Sequence, residues 1–449
     1  MFRFAAFICL LGLFYGCSTS GNNQTSQNEP VTRQVQGQLS LTNQILPPPN
    51  IRSIELFRNS PGQAPIIRLG SSDRLTLRFD ELSSASGLFR ISVTHHNADW
   101  TESSLVPNLF MQGFMEDYLH VGQAGRFQNP TWFAYSYTFP NSNMRVSRSG
   151  NFQLHVHNQE TNEHLFSMPF LVYEENGEVT TSMEELYNLD SRYTRHHQLF
   201  ARYFYDSAST LSQSDINIYF VQNQFWSTAR RADQQDFSED GVARMYVSRD
   251  NAFVGTFEFL DLNLSSIDQY SMQIVDFNLG TGNRIPRITL NRDVVNLSLS
   301  PRLRQLSRLS SPSTREDARY ALVRFQLDVP LNERTNDPIF IVGGFNNWGL
   351  NPENRMHYDA STGLYTGEVV VKEGRYSYKY VTVGNRQVNS LRFDASFAST
   401  RQEYHTLVYL KDETFRVDRL VAVQRFQSDF DLLKIDTKTE VMNSSAKSI

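Results

Sequence analysis

Beyond residue 50 this chain repeats one pattern: short runs in which apolar and polar side chains alternate, separated by turn-forming residues. Arg74–Phe79, Phe89–Thr94, Phe152–His157 and Ser167–Val172 all follow it. Alternation with a period of two places every second side chain on one face, the signature of a strand with one side in a core. No run of helical period is long enough to carry a helical domain. Only short helices around Ser182–Leu186 and Leu109–Tyr118 are compatible with the pattern. The chain is therefore expected to be all-β, with strands packed in tandem sandwiches. A surplus of Phe (32) and Tyr (20) fits pleated, half-buried surfaces better than helical ones.

At 449 residues the chain is too long for one ordinary core. The pattern divides it into a first sandwich over 49–174, closed by the polar Glu174–Glu178 cluster, and a second over 175–300. The strands of the second are expected at Leu199–Tyr205, Asn217–Val221, Ala243–Val247 and Phe253–Phe259. An Arg- and Ser-rich connector spans 301–319, a third sandwich 320–424 and a charged tail 425–449. Leu322–Leu327, Ile339–Val342 and Tyr376–Val381 read as strands of the third. A mean hydropathy of -0.43 excludes a polytopic membrane protein. A net charge of -5 with no basic face argues against nucleic acid as a partner.

The N-terminus reads as an address. Arg3 supplies positive charge, Phe4 to Tyr15 form an apolar run too short to span a bilayer, and residues 1–16 match a secretory signal. Gly16-Cys17 at its end resembles a bacterial lipobox, although Phe14 stands where Leu is usual. Cys17 is thus the expected lipidation site, and several acyl chains on one residue give stable attachment. The chain's two cysteines are Cys9 and Cys17, so no disulfide framework or cysteine metal site can exist in the body. Residues 17–48, rich in Ser, Thr, Asn, Gln and Gly and stiffened at their end by the run Pro47-Pro48-Pro49 that crosses into the first sandwich, are expected to form a disordered tether.

Signs of catalysis are scarce. The chain has no nucleophile elbow, phosphate-binding loop, dinucleotide fingerprint or zinc-protease motif. Carboxylate pairs such as Asp394 with Glu403 are inevitable in a chain with 47 acidic residues. His155 and His157, two apart on a strand, share a face and could bind a metal, but a solvated face explains them better. His95-His96 and His196-His197 point to opposite faces and cannot chelate together. No enzyme activity, cofactor or metal is expected.

Two stretches carry resemblances. His96-Asn97-Ala98-Asp99-Trp100, Ser103, Gly113-Phe114, Glu116-Asp117, Tyr135, Phe139-Pro140-Asn141 and Ser149-Gly150-Asn151-Phe152 together resemble the first domain of the type IX secretion system plug proteins of Bacteroidota. That family usually has Cys where Asn97 stands. The segment Asn188 to Asp206 and the strand around Phe253 also resemble it. The second stretch is Gly343-Gly344-Phe345-Asn346-Asn347-Trp348, Met356, Tyr358-Asp359, Gly363-Leu364-Tyr365, Glu373-Gly374 and Tyr376 to Val381. It is similar to the immunoglobulin-like glycogen-binding modules, with Lys379 matching a sugar-contacting Lys. Their second aromatic platform is missing, because the hairpin Gly384-Asn385-Arg386-Gln387-Val388 has no aromatic; Trp348 is then expected in the core.

The resemblances imply tandem immunoglobulin-like sandwiches and a plug on the periplasmic side of the outer-membrane barrel translocon, held there by a lipid anchor. The translocon and the membrane are the implied partners. The alternative is a surface glycan-binding lipoprotein.

Overall fold

A computed structural model describes residues 39–428, apart from 128, 188, 190–194, 207–212, 237, 281–283, 296–303, 306–307, 386 and 395–400. The signal 1–16, Cys17 and most of the charged tail lie outside the described residues. Within them, strands form three sandwiches belonging to one compact unit.

In the first sandwich one sheet runs Ile51–Arg58, Leu75–Glu81, Phe133–Phe139, Gln123–Ala124. The facing sheet runs Ile66–Arg68, His164–Tyr173, Gly150–Asn158, Phe89–His96, Glu116–Leu119. Its alternation is met directly: Leu75, Leu77 and Phe79 point inward and the residues between them outward. Phe79 stacks on Tyr135 with ring centroids 5.0 Å apart and meets Phe89 edge-on at 5.1 Å. Such aromatic pairs hold a sandwich that has no disulfide.

The second and third sandwiches are grouped differently from the spacing along the chain. Glu178–Tyr187, Arg195–Phe204, Val242–Tyr246 and Gln234–Asp236 form one sheet of the second. Its opposite sheet pairs Ile216–Gln222 with Glu403–Asp412, which in turn pairs with Val417–Gln427. The third sandwich instead takes Phe259–Asn263, Ile274–Asn278 and Arg287–Leu290 and joins them to Tyr320–Asp328, Leu364–Lys372 and Gly374–Gly384. It is inserted into the second, which the final hairpin completes. Even the described part of the Arg/Ser connector contributes strands, as Ser310–Pro312 pairs with Gly374–Gly384. Period-two alternation identifies a strand but carries no information about a partner more than a hundred residues away.

Three local expectations need correction. Ser182–Leu186 lies inside the strand Glu178–Tyr187, which pairs with Arg195–Phe204 along its whole length. Leu109–Tyr118 holds a single helical turn, Pro107–Phe110, and then breaks into strands Met111–Gly113 and Glu116–Leu119 around Gly113, whose φ is +92°. Residues 39–45, grouped by composition with the tether, dock on the body. Leu39 and Leu41 are buried, Ser167 N–H donates to the Ile45 carbonyl at 3.0 Å, and Asn43 Nδ2 donates to the Trp100 carbonyl at 2.8 Å.

Candidate functional site

The residues with the most specific sequence signal meet where sandwiches join. His96 to Thr101 make a tight loop in which Asn97 N–H donates to Thr101 O and Trp100 N–H to Asn97 O, both at 2.9 Å. His96 Nδ1–H closes it on the Trp100 carbonyl at 3.0 Å. Trp100 is held at φ +66°, a conformation a bulky residue adopts only where its surroundings over-determine it. Here its indole packs with Trp226, Leu407, Tyr409 and Leu420 of the second sandwich.

Polar groups lock the same joint. Tyr409 OH donates to Asn151 Oδ1 at 2.7 Å, and Asn151 Nδ2 donates to the Asn97 carbonyl at 2.9 Å. Ala98 N–H donates to Asp418 Oδ2 at 3.1 Å, while Asp418 N–H returns a bond to Asn97 Oδ1 at 3.3 Å. Arg419 forks onto both oxygens of Glu174 at 2.9 and 2.5 Å. Gly150, at φ +142°, lies so close to the His95 ring that a Cβ would collide with it. His95 bonds to Ser103 Oγ at 2.9 Å and to the Ser149 carbonyl at 3.1 Å. Burial lowers its pKa to about 4, so it is neutral, with Nε2–H donating to Ser149 and Nδ1 accepting from Ser103.

A second joint links the first and third sandwiches through buried charge. Lys372 Nζ sits 2.7 Å from Asp80 Oδ2 and 3.6 Å above the centroid of the Trp132 ring. Tyr320 OH donates to the same carboxylate at 2.6 Å and lies 2.7 Å from Ser53 Oγ. Burial raises the Asp80 pKa and lowers that of Lys372, each opposed by the partner's charge. Beside them burial lifts Glu55 to about 7, against the pull of Arg78.

The third joint contains the second sequence motif. Asn346 Nδ2 donates to the Ile341 carbonyl at 2.9 Å and its Oδ1 accepts from Gly343 N–H at 2.8 Å, tying the Gly343–Trp348 loop to its strand. Trp348 is 1% exposed and meets Phe225 of the second sandwich edge-on at 5.1 Å. Lys379 is buried as well, bonding Asp394 Oδ1 at 2.7 Å and the Glu258 carbonyl at 2.6 Å. Neither residue offers a surface to a sugar, which removes both contacts on which the glycan-binding alternative rested. Asp394 and Glu403 do not form a catalytic pair: Asp394 holds Lys379, and Glu403 holds Arg425.

His155 and His157 do share a face, and His164 joins them across the hairpin, its Nε2 3.2 Å from His155 Nδ1. Sequence reasoning had no third histidine because pairing of Gly150–Asn158 with His164–Tyr173 supplies it. Even so, among the described residues no group of three such side chains is placed to hold a metal. His155 is half-buried rather than solvated, and its pKa falls to about 3 through desolvation and its histidine neighbours. His197 is buried with Nδ1 2.7 Å from Tyr404 OH.

Outward-facing apolar side chains were not anticipated. Val106, Leu109, Phe114, Tyr118 and Val121 are all exposed, Phe114 at 68% and Val121 at 83%, and all come from one segment of the first sandwich. Single exposed apolar residues are ordinary; five within sixteen positions are a candidate contact surface. The signal available in sequence was the run of apolar residues off the strand pattern.

Residues 51–174 match the family model described as type 9 secretion system plug protein, first domain. No curated protein is similar enough in sequence to match the chain. A crystal structure of a hypothetical protein from Parabacteroides merdae is similar in fold, with a TM-score of 0.75 at 22% identity, covering 86% of this chain and 99% of that one.

Proposed function

From its first domain the chain belongs to the type 9 secretion system plug family, and we propose that it closes the outer-membrane barrel translocon of that system from the periplasmic side. The family makes the chain a component of protein secretion rather than a member of an enzyme family. The observation that carries the finer reading is the set of three joints. A stopper that hinged between its sandwiches would leak, and here each joint combines packed aromatics with bonded polar groups. Buried networks of this kind cost much when one partner is lost, so the sandwiches move together.

Cys17 supplies the lipid anchor, and the chain from Cys17 to the docked Leu39 is the tether. A flexible chain of that length would reach about 5–6 Å times the square root of its residue count, roughly 25 Å. Confinement within that radius raises the local concentration near the pore, so modest intrinsic affinity gives high occupancy while leaving the contact reversible. The interface is expected to be of standard size with a polar rim.

In a deletion strain that retains the translocon, uptake of normally excluded dyes should rise while cargo export continues at least in part. Complementation with full-length protein should restore the barrier, and with Cys17→Ser it should not. Unchanged dye uptake in the deletion strain would sink the plug reading.

The exposed segment 106–121 is the proposed contact surface. Phe114→Asp combined with Val121→Asp should weaken co-purification with the translocon at least tenfold, the loss of about 1.4 kcal/mol. Both side chains are already in solvent, so the melting temperature should hold. A variant that retains full co-purification would remove this segment from the interface.

A further inference from the structure

Three histidines on the outer face of the first sandwich take no part in the joints. His155 and His157 share that face, because Leu154 and Val156 between them point into the core. Simple alternation would turn His164 inward, since Phe166 is in the core two residues on. A bulge prevents this: Val156 pairs with Phe166, but His157 pairs with His164. Leu165 and Phe166 both enter the core, and His164 returns to the outer face beside the other two. Arg90, whose charge reaches His157 and His164, is tied to Glu116 and Asn162.

The hydrogen bonds fix where the protons are. His96 Nδ1 donates to the Trp100 carbonyl, so its neutral ring has a bare Nε2, which accepts from Thr94 Oγ1 at 2.9 Å. A hydroxyl has one hydrogen, so Thr94 Oγ1 in turn accepts from His155 Nε2 at 2.7 Å. The neutral His155 ring therefore keeps its lone pair on Nδ1, the atom that faces His164 Nε2 at 3.2 Å. The ring proton of His164 goes to the Phe166 carbonyl, which leaves its Nε2 bare as well. Two lone pairs thus face each other with no proton between them. Two imidazole nitrogens at about 2.0–2.1 Å from one zinc ion, in near-tetrahedral array, lie about 3.3 Å apart. The ring planes cross at 75° with centroids 4.9 Å apart, too close for the two nitrogens to meet end to end.

We propose that His155 Nδ1 and His164 Nε2 together chelate one divalent first-row transition ion of the class that imidazole suits, such as zinc, nickel or copper. Among the described residues no third His, Cys, Asp or Glu is placed to join them, so water completes the shell and the ion is exchangeable. Thr94 is the outer partner that holds His155 in the ligating tautomer, as metal-bound histidines generally require. His157 lies over His164 with centroids 4.4 Å apart and walls the site instead of ligating. The bound ion links the strands Gly150–Asn158 and His164–Tyr173 across their bulge. The proposal does not depend on the plug reading.

The test is calorimetric titration of the full chain, its cysteine thiols alkylated, with zinc chloride and with nickel chloride. The native chain should bind saturably, and zinc should raise its melting temperature. His155→Gln and His164→Gln should each lower the affinity about tenfold or more, since each removes one of two ligands. Thr94→Val, which frees the His155 tautomer, should lower it about tenfold. His157→Phe keeps a stacked ring and should bind as the native chain does. No saturable binding by the native chain, or native affinity in whichever of the His155, His164 and Thr94 variants folds, would overturn the proposal. Loss of binding in a folded His157→Phe chain would overturn the two-histidine assignment.

Discussion

Lowering the pH from 7 to 4.5 should progressively destabilise this protein, above the range where carboxylate protonation alone does so. His95, His197 and His405 are buried; burial holds the first two at about 4 and 3 in the folded chain against 6.5 when free, and pushes His405 down as well, against the pull of Glu403. Between those values the unfolded chain takes up protons that the folded chain refuses. Stability therefore falls with falling pH, by about 1.4 kcal/mol per unit for each histidine. Glu55 acts in the opposite sense. Its folded value of about 7 exceeds the free value of 4.5, so its contribution is complete below 4.5 and lost as pH rises through 7. Over this window the buried histidines, acting in one sense, outweigh Glu55, so the net change is destabilising. Domains commonly have only about 5–15 kcal/mol in total. Urea midpoints followed by tryptophan fluorescence at pH 7.5, 6.0 and 5.0 should drop steadily, and His197→Gln should flatten the slope. A midpoint constant over that range would contradict the assignment of these imidazoles as neutral and buried.

Trp348→Ala should destabilise the protein by about 3–5 kcal/mol, the usual cost of deleting a large buried aromatic. The side chain meets Phe225 at 5.1 Å and Phe259 at 5.5 Å, and it packs with Leu39, Phe257 and Val381. Its loss opens a void shared by two sandwiches and the docked segment, where no single element can relax to fill it. The same substitution should leave glycogen binding unchanged, at the background expected of the native protein. Calorimetric unfolding and a polysaccharide pull-down on one pair of samples answer both points. An unshifted melting temperature together with lost polysaccharide binding would reverse the assignment.

Strand identity was legible because it rests on local alternation: Leu75 to Phe79 and Phe152 to Val156 face inward as their spacing requires. Which strands share a sheet was not. Tyr404 to Leu410 fell within the span 320–424 assigned to the third sandwich, and only the folded chain pairs it with Ile216–Gln222 of the second. The motif residues were visible as a pattern, but their work was not, since Asn151 acquires meaning only opposite Tyr409. Leu39 and Leu41 were missed for a related reason. Two apolar residues in a polar stretch say nothing about docking until the groove that receives them exists.

That docking decides how the molecule answers a pull. Leu39 is wedged among Phe225, Phe259 and Trp348, and Leu41 among Trp100, Trp226 and Tyr409, so the chain enters the body between elements of all three sandwiches. Tension applied through the N-terminal side is first met by these two leucines and by the bonds between Ile45 and Ser167, before it reaches any sheet. The load is shared across the junction instead of peeling one edge strand from its neighbour. Such a body can bear a pull on its N-terminal side without being unravelled from that end.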